Sequence, residues 1–332
     1  MSAHGDLKAR GFRPKKSFGQ NFLTDDNIAR VIAHLGGQGL RTVVEIGPGG
    51  GALTAHLLAL GGLVVAVEKD RELVPVLRER FAPQIAAGAL VLIEGDATEL
   101  DWAALFVDRP GPYGLVGNLP YAVTGALLQR ASTLATVVDR ATFMIQKEVA
   151  LRLAAAPASE DYGALTVFVQ ASYHVKKAHA VPPSCFWPRP EVDSTVVVLT
   201  PLRPPRAEET VAFREAVKRA FAQRRKTLRN AWSGIYGLDR EGLEARALGA
   251  GISLDRRGET LSVEDFARFA GALAVRPLVP FRDKRAAARL STSRCVAEAP
   301  TLSSSRRGRL LRRGSRCRSP PPTPRPEPSR TS

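Results

Sequence analysis

The chain has little cysteine. Its three cysteines, Cys185, Cys295 and Cys317, are scattered through 332 residues, with no Cys-x-x-Cys pair and no His/Cys cluster. A metal centre of the zinc type is therefore not expected, and thiol usage of this kind fits a reducing cytoplasm. Long apolar runs are also missing: none reaches the roughly 18 residues that a membrane-spanning helix needs. The first 16 residues are polar and lack the apolar core of a secretory signal, so no membrane association is expected. Internal repeats are absent. Acidic residues are in deficit, 32 against 48 Lys and Arg, which leaves a net charge of +16. A balance of that sign favours a polyanionic partner, nucleic acid before membrane, although a merely soluble basic protein also satisfies it.

The charge is unevenly spread. Residues 283–332 carry 13 Lys and Arg against 3 acids, so +10 of the +16 lies there and the other 282 residues hold +6. That stretch is Arg, Ser and Pro with few aromatics. It buries too little apolar surface to offset its ordering entropy and is expected to be disordered. It is either an RNA-binding extension or a run-on without function. Elsewhere an apolar content of 44% for the chain is ample for a core, and the length favours two domains over one.

Residues 1–16 read as a flexible basic arm. Asp25 or Asp26 is placed to cap a helix through Ile28, Val31, Ile32 and Leu35. Apolar runs at 42–46, 63–67, 90–93, 115–117 and 142–145 then alternate with helical patterns. Continuous apolar strands of this kind predict a parallel α/β sheet covered on both faces, a Rossmann-like domain over 17–203. Residues 165–173 and 194–199 are rich in strand formers. They read as an antiparallel pair closing the sheet edge, with a proline-dense loop between them. Residues 202–206 read as a linker. Residues 207–275 read as a small helical domain, with a capping-box pattern at Ser262 and Asp265.

Ligands in such sheets bind at the carboxyl ends of the strands. Gly47, Glu68, Asp96 and Asn118 all fall at such ends. Gly47-Pro48-Gly49-Gly50-Gly51-Ala52 satisfies the G-x-G-x-x-A spacing, and Glu68 lies about twenty residues on, where an acid accepts from ribose hydroxyls. A structural tight turn is the alternative. Asp96 follows a glycine at the third strand end; its carboxylate either accepts from an adenine amino group or caps the next helix. Asn118-Leu119-Pro120-Tyr121 ends the fourth strand. An amide, a ring-locked proline and an aromatic face suit the edge and face of a planar base; an ordinary strand-to-helix turn with a buried tyrosine is the alternative.

Together Asp96 and Asn118 shift the reading from a nicotinamide dinucleotide to S-adenosylmethionine, and the reaction to methyl transfer onto an exocyclic amine. That nitrogen is a poor nucleophile because its lone pair is delocalised. The Asn118 side-chain oxygen and a backbone carbonyl around Leu119-Pro120, accepting both N–H protons, favour a more pyramidal nitrogen. Tyr121 stacks on the base, and proline holds the carbonyl rigid. The rest is positioning and preorganised electrostatics. A base within a helix must first leave its stack. Arg224, Arg225, Lys226 and Arg229 cluster along a helix. They read as a solvated face or, beside such a core, as RNA phosphate contacts.

At this point the chain resembles the ribosomal RNA small-subunit adenine N6-dimethyltransferase family. The resemblance rests on segments 16–23 (KSFGQNFL), 44–54 (VEIGPGGGALT), 118–121 (NLPY), 144–150 (MIQKEVA), 181–186 (VPPSCF), 192–194 (VDS) and 223–230 (QRRKTLRN). It covers about residues 15–275. It implies that Asn21, Leu23, Gly47, Glu68, Asp96 and Asn118 contact S-adenosylmethionine. It further implies that Asn118 and Pro120 hold the target amine, that Tyr121 and Phe186 bracket the base, and that Arg224, Arg225, Lys226 and Arg229 meet RNA. Without the resemblance Phe186 is as well explained as a loop anchor. The implied activity is dimethylation of two adjacent adenosines in a 3′-terminal hairpin of 16S rRNA, by a cytoplasmic monomer acting on a 30S-type pre-ribosomal particle. A large-subunit rRNA adenine N6-methyltransferase of the macrolide-resistance type, a DNA adenine methyltransferase and a non-catalytic assembly factor are the rivals. Ala122, where relatives often carry a polar residue, and Trp187 depart from the pattern without touching an assigned residue.

Overall fold

In the computed structural model, which describes residues 3–15 and 18–272, the chain opens with α1 (Ala3–Ala9) and the short strand β1 (Phe22–Leu23). Next comes α2 (Asp26–Gly37), capped by Asp25, whose carboxylate accepts from the Asn27 and Ile28 amides. The sheet region follows as β2 (Thr42–Ile46), α3 (Ala52–Ala59), β3 (Leu63–Glu68), α4 (Leu73–Arg80), α5 (Ala82–Ala86), β4 (Leu90–Glu94), β5 (Tyr113–Asn118), α6 (Thr124–Ser132) and β6 (Arg140–Gln146). Then come α7 (Lys147–Leu153), α8 (Ala164–Ser172), β7 (Tyr173–Val181), β8 (Phe186–Trp187) and β9 (Ser194–Pro201). Four helices end the described chain: α9 (Val211–Ala222), α10 (Leu228–Ala231), α11 (Arg240–Gly249) and α12 (Val263–Ala272). The expected disordered tail at 283–332 and residues 273–275 of the expected helical domain lie outside the described residues.

Seven strands form one sheet in the order β4-β3-β2-β5-β6-β9-β7. β4 to β6 run parallel, and β9 and β7 close the edge as an antiparallel pair. Alternate residues of each strand enter different cores. Val44, Val65, Leu115 and Phe143 pack on one face, and Val43, Val64, Val116 and Met144 on the other. Burial on both faces is why these strands are continuously apolar. From β2 the chain steps outward to β3 and β4, then returns to β5 on the other side. The carboxyl ends of β2 and β5 therefore flank the point where the strand order reverses, which is where sheets of this kind open a ligand crevice.

Two segments differ from expectation. Residues 165–173 read as strand, yet 164–172 form α8, and strand begins only at Tyr173. Side-chain packing overrides the local preference. Val167, Phe168, Val169 and Ala171 are buried between α6 and α7 on one side and α9 on the other. The first turn is held by Thr166, whose hydroxyl accepts from the Gly163 amide and donates to the Arg152 carbonyl. The second is the N-terminal arm. Where described, it holds α1, with Ala3 and Leu7 buried. Leu7 packs with Phe22 and Leu73, and Arg10 forks onto both carboxylate oxygens of Glu79 at 2.9 Å each. Two apolar contacts in a short polar stretch leave no periodic signal, so only the tertiary partners show why this helix forms.

Helices α9 to α12 enclose a separate core of Phe213, Trp232, Phe266 and Phe269, which Phe168 of α8 joins. The Trp232 and Phe269 rings stack with centroids 3.8 Å apart, and the Trp232 indole donates to the Ala216 carbonyl at 2.9 Å. The Ser262/Asp265 capping box is present, with reciprocal bonds of 3.0 and 3.1 Å.

Leu7 provides a test of the docked N-terminus. Leu7→Ala should weaken the docking of α1 by about 2–5 kcal/mol. Limited trypsin digestion should then cut after Lys8 or Arg10 well before the body of the protein; wild-type resistance in the mutant would show that α1 is held by other contacts.

Candidate active site

The loop after β2 is built for close backbone approach. Gly47 and Gly49 adopt φ of +69° and +58°, a region that favours glycine. A Cβ on Gly49 would also lie 3.0 Å from the Phe22 ring. Glu68, at the end of β3, pins this loop: its Oε2 accepts from the Gly49 amide at 3.0 Å and its Oε1 from the Asp70 amide at 2.8 Å. Burial raises the Glu68 carboxyl above its usual range, and these backbone bonds oppose the rise. A carboxylate has about four lone-pair positions, so Glu68, which lines the cavity, keeps acceptor capacity beyond its backbone bonds.

Asp96 sits after β4. Its Oδ1 accepts from the Thr98 amide and hydroxyl at 2.8 and 2.7 Å, so the turn-capping role is real. Its Oδ2 pairs with Lys69 at 2.6 Å. Burial would raise this carboxyl, but Lys69 and Thr98 together hold it at about 2. It is a firm anion at neutral pH.

At the end of β5, Asn118 donates through Nδ2 to the Asn21 carbonyl at 2.8 Å, and Asn21 donates to the Gly19 carbonyl at 3.3 Å. The amide is thereby oriented, and its Oδ1 is left as an acceptor. The Pro120 carbonyl is already engaged by the Thr124 hydroxyl and the Val123 amide, at 2.9 and 3.1 Å. Among the described residues no backbone or side-chain donor reaches the Leu119 carbonyl, which makes it the available backbone acceptor of the pair. Tyr121 is half-buried, and its hydroxyl shares a 2.9 Å hydrogen bond with the Ser194 hydroxyl.

Asn21, Leu23, Gly47, Glu68, Asp96, Asn118, Pro120 and Tyr121 all line one cavity of about 200 Å³. Phe186 does not. In β8 it lies opposite Leu23 and is buried in the core with Val181 and Val196. Its expected place beside the base therefore stays an expectation; what the fold shows is a buried ring on β8. The basic cluster is also differently arranged. α9 stops at Ala222, and 224–226 form a turn before α10. Arg224 pairs with Glu259 at 3.1 Å, and Arg229 pairs with Glu244 and Asp255. Arg225 and Lys226 are exposed.

Several residues of the site had no role assigned from the sequence, although Phe18 and Gln20 lie in the segment 16–23. Asp70 is almost fully buried and holds Lys15 Nζ at 2.6 Å and Gln20 Nε2 at 2.7 Å, which fastens the N-terminal segment to the end of β3. Lys69 lies over the Phe18 ring. Ala3, His4 and Leu7 of α1 form part of the cavity wall. Only side-chain partners in the folded chain identify these positions; Ser194 was visible as part of a motif but not as the anchor of Tyr121.

Comparison with known proteins matches this architecture. The family profile for ribosomal RNA adenine dimethylase covers residues 11–274. The chain belongs to the ribosomal RNA adenine dimethylase family. It is 44% identical over 269 residues to ribosomal RNA small subunit methyltransferase A of Anaeromyxobacter sp. strain K, covering 77% of this chain and 92% of that protein. It is 42% identical over 261 residues to the protein of the same name from Syntrophotalea carbinolica, covering 78% and 96%. Among solved structures, the dimethyladenosine transferase of Plasmodium falciparum superposes with a TM-score of 0.62 at 22% identity, covering 75% of this chain and 95% of that one. The 23S rRNA methyltransferase ErmE superposes with a TM-score of 0.55 at 25% identity, covering 76% and 99%. The Rossmann-like methyltransferase fold with a C-terminal helical region is thus shared. No helix among the described residues is long and apolar enough to cross a membrane.

One buried acid in the cavity wall has a measurable consequence. Glu45 of β2 accepts from the Thr54 hydroxyl at 2.7 Å. Burial pushes its carboxyl up to about 8, opposed by Thr54 and assisted by nearby Glu68. The unfolded chain loses this proton near 4.5 and the folded chain only near 8, so folded stability falls as pH rises between those values. Glu45→Gln keeps an acceptor for Thr54 and has no proton to lose. Its stability advantage over wild type should be smallest below that window, grow through it and level off above. Urea unfolding at pH values spanning the window measures this, and a pH-independent difference would refute it.

Proposed function

We propose that this enzyme transfers methyl groups from S-adenosylmethionine to N6 of adenosines in small-subunit ribosomal RNA, making N6,N6-dimethyladenosine. The observation that carries the reading is the orientation of Asn118. Its Nδ2 is committed to the Asn21 carbonyl, so Oδ1 faces the site as an acceptor, one residue from the uncommitted Leu119 carbonyl. Family membership and the names of the relatives support methyl transfer to small-subunit rRNA.

The chain's residues fit the cofactor. The glycine loop offers close backbone approach, Glu68 keeps acceptor positions that would suit a ribose diol, Asp96 is an anionic acceptor that would suit an adenine amine, and Asn21 and Leu23 complete the wall. When bound, S-adenosylmethionine supplies an electrophilic methyl on a sulfonium. The protein's part is to position the nucleophile. Asn118 Oδ1 and the Leu119 carbonyl accept the two N–H protons of the amine and draw its lone pair out of the ring. Tyr121, anchored by Ser194, supports the face of the base. The nitrogen turns acidic as its new bond forms and its proton passes to water, so these oxygens need only accept hydrogen bonds and no strong general base is required. The rate comes from preorganisation.

The finer features belong to the same proposal: two adjacent adenosines in a 3′-terminal hairpin, a 30S-type particle as substrate, a cytoplasmic monomer, and a helical domain over 207–275 that contacts RNA. The geometry favours Arg225 and Lys226 for those contacts over Arg224 and Arg229, which are held by acids.

Incubation with unmethylated small subunits and labelled cofactor, followed by mass mapping of modified adenosines, tests the reading. Binding without label would leave an assembly factor as the better account. Asn118→Ala should lower transfer by about two to three orders of magnitude while the thermal unfolding profile stays intact; unchanged turnover would remove Asn118 from its role. Ser194→Ala should slow transfer about fivefold, the equivalent of one hydrogen bond of about 1 kcal/mol. Cofactor affinity should be unchanged, and Ser194→Thr should restore the rate. Equal loss in both variants would mean that the serine acts through packing instead.

A further inference from the structure

Residues 162–190 contain no Asp or Glu. The same run supplies Lys176, Lys177, Arg189, His174 and His179, all exposed. Most of these lie on β7, the last strand of the sheet, which has a neighbour on one side only. The elements packed against β7 add little negative charge: β9 and α8 carry no acid, and α7 carries Glu148 beside Lys147 and Arg152. The acids that follow the run are Glu191 and Asp193, and Asp193 is paired with Lys147 at 3.6 Å. Lys176 and Lys177 form no ion pair among the described residues. In this they differ from Arg224 and Arg229.

The register points this charge at the active site. His174 lies opposite Thr200, Lys176 opposite Val198 and Val181 opposite Ser194, so these β7 residues share the sheet face of Ser194. The irregularity between Lys177 and His179 places His179 opposite Val196. A bulge of this kind shifts the alternation by one residue, and here it returns His179 to the face of Lys176. The row His174, Lys176, His179 thus leads toward Ser194, whose hydroxyl holds Tyr121. Lys176 stands about 14 Å along the strand from Val181, four register steps at roughly 3.4 Å each.

We propose that the β7 edge is a phosphate track: it binds the backbone of the RNA strand whose base enters the Asn118–Tyr121 site. The inference rests on the rRNA reading above, since it is that substrate's strand which the track guides. Phosphate contacts fix the register of a nucleic acid without reading its sequence. A cationic edge with no acids to neutralise it supplies such contacts next to a site that needs an extruded base.

The test is a salt titration of binding by the full-length protein to a single-stranded adenosine-containing RNA, with methyl transfer to unmethylated small subunits measured in parallel. Each phosphate contact to a single strand contributes about 0.7 to the slope of log affinity against log salt. The variant Lys176→Ala should therefore lower that slope by about 0.7, with cofactor affinity unchanged. The Lys176→Arg variant should retain the wild-type slope. A wild-type slope in the alanine variant, with wild-type transfer intact, overturns the track and leaves the function standing; self-association of that variant would then mark the lysine as a guard of an open sheet edge. If the wild-type protein neither binds the RNA nor methylates the subunits, the rRNA reading fails and the track fails with it.

Discussion

Two carboxylates at the end of β3 hold the site together. Glu68 fastens the glycine loop through the Gly49 amide and turns the chain through the Asp70 amide. Asp70 then grips Lys15 and Gln20, which brings the N-terminal segment across the cavity mouth. From there Asn21 offers its carbonyl to Asn118. Strand ends β2, β3 and β5 and the N-terminal segment are joined by hydrogen bonds of 2.6–3.0 Å. Such a network is cooperative, because each bond orients the next partner. It also means that the glycine-loop side and the Asn118 side of the cavity share one scaffold.

The amino-acid pattern made the sheet legible and the site nearly so. Parallel strands buried on both faces must be apolar throughout, so β2, β3, β4, β5 and β6 stand out, and the residues at their carboxyl ends are then forced into one crevice. Gly47, Glu68, Asp96, Asn118 and Tyr121 follow from that topology alone. What failed is what depends on partners far away in sequence. α8 is composed of strand formers but is enclosed by helices on two sides. α1 has one buried leucine whose partners, Phe22 and Leu73, lie 15 and 66 residues on. The burial of Phe186 opposite Leu23 is likewise set by a partner far away in sequence. The basic cluster after α9 looked like free charge because Glu244, Asp255 and Glu259, which hold two of its arginines, come later in the chain.

That last point bears on how this molecule meets RNA. Net charge describes long-range attraction, whereas the phosphate contacts themselves require cations whose own partners do not compete. Arg10, Arg214, Arg224 and Arg229 each lie against carboxylates, so they add to the total while being spent on the fold. Lys176, Lys177, Arg225 and Lys226 add to the same total and remain available. A surface of modest overall charge can therefore carry sharply localised affinity. Its location is set by where acids are missing, which along β7 is a direct property of the sequence once the sheet order is known. The strand that ends the sheet is also the one whose register terminates at Ser194, so the architecture that closes the fold also brings its acid-free edge toward Tyr121 at the cavity.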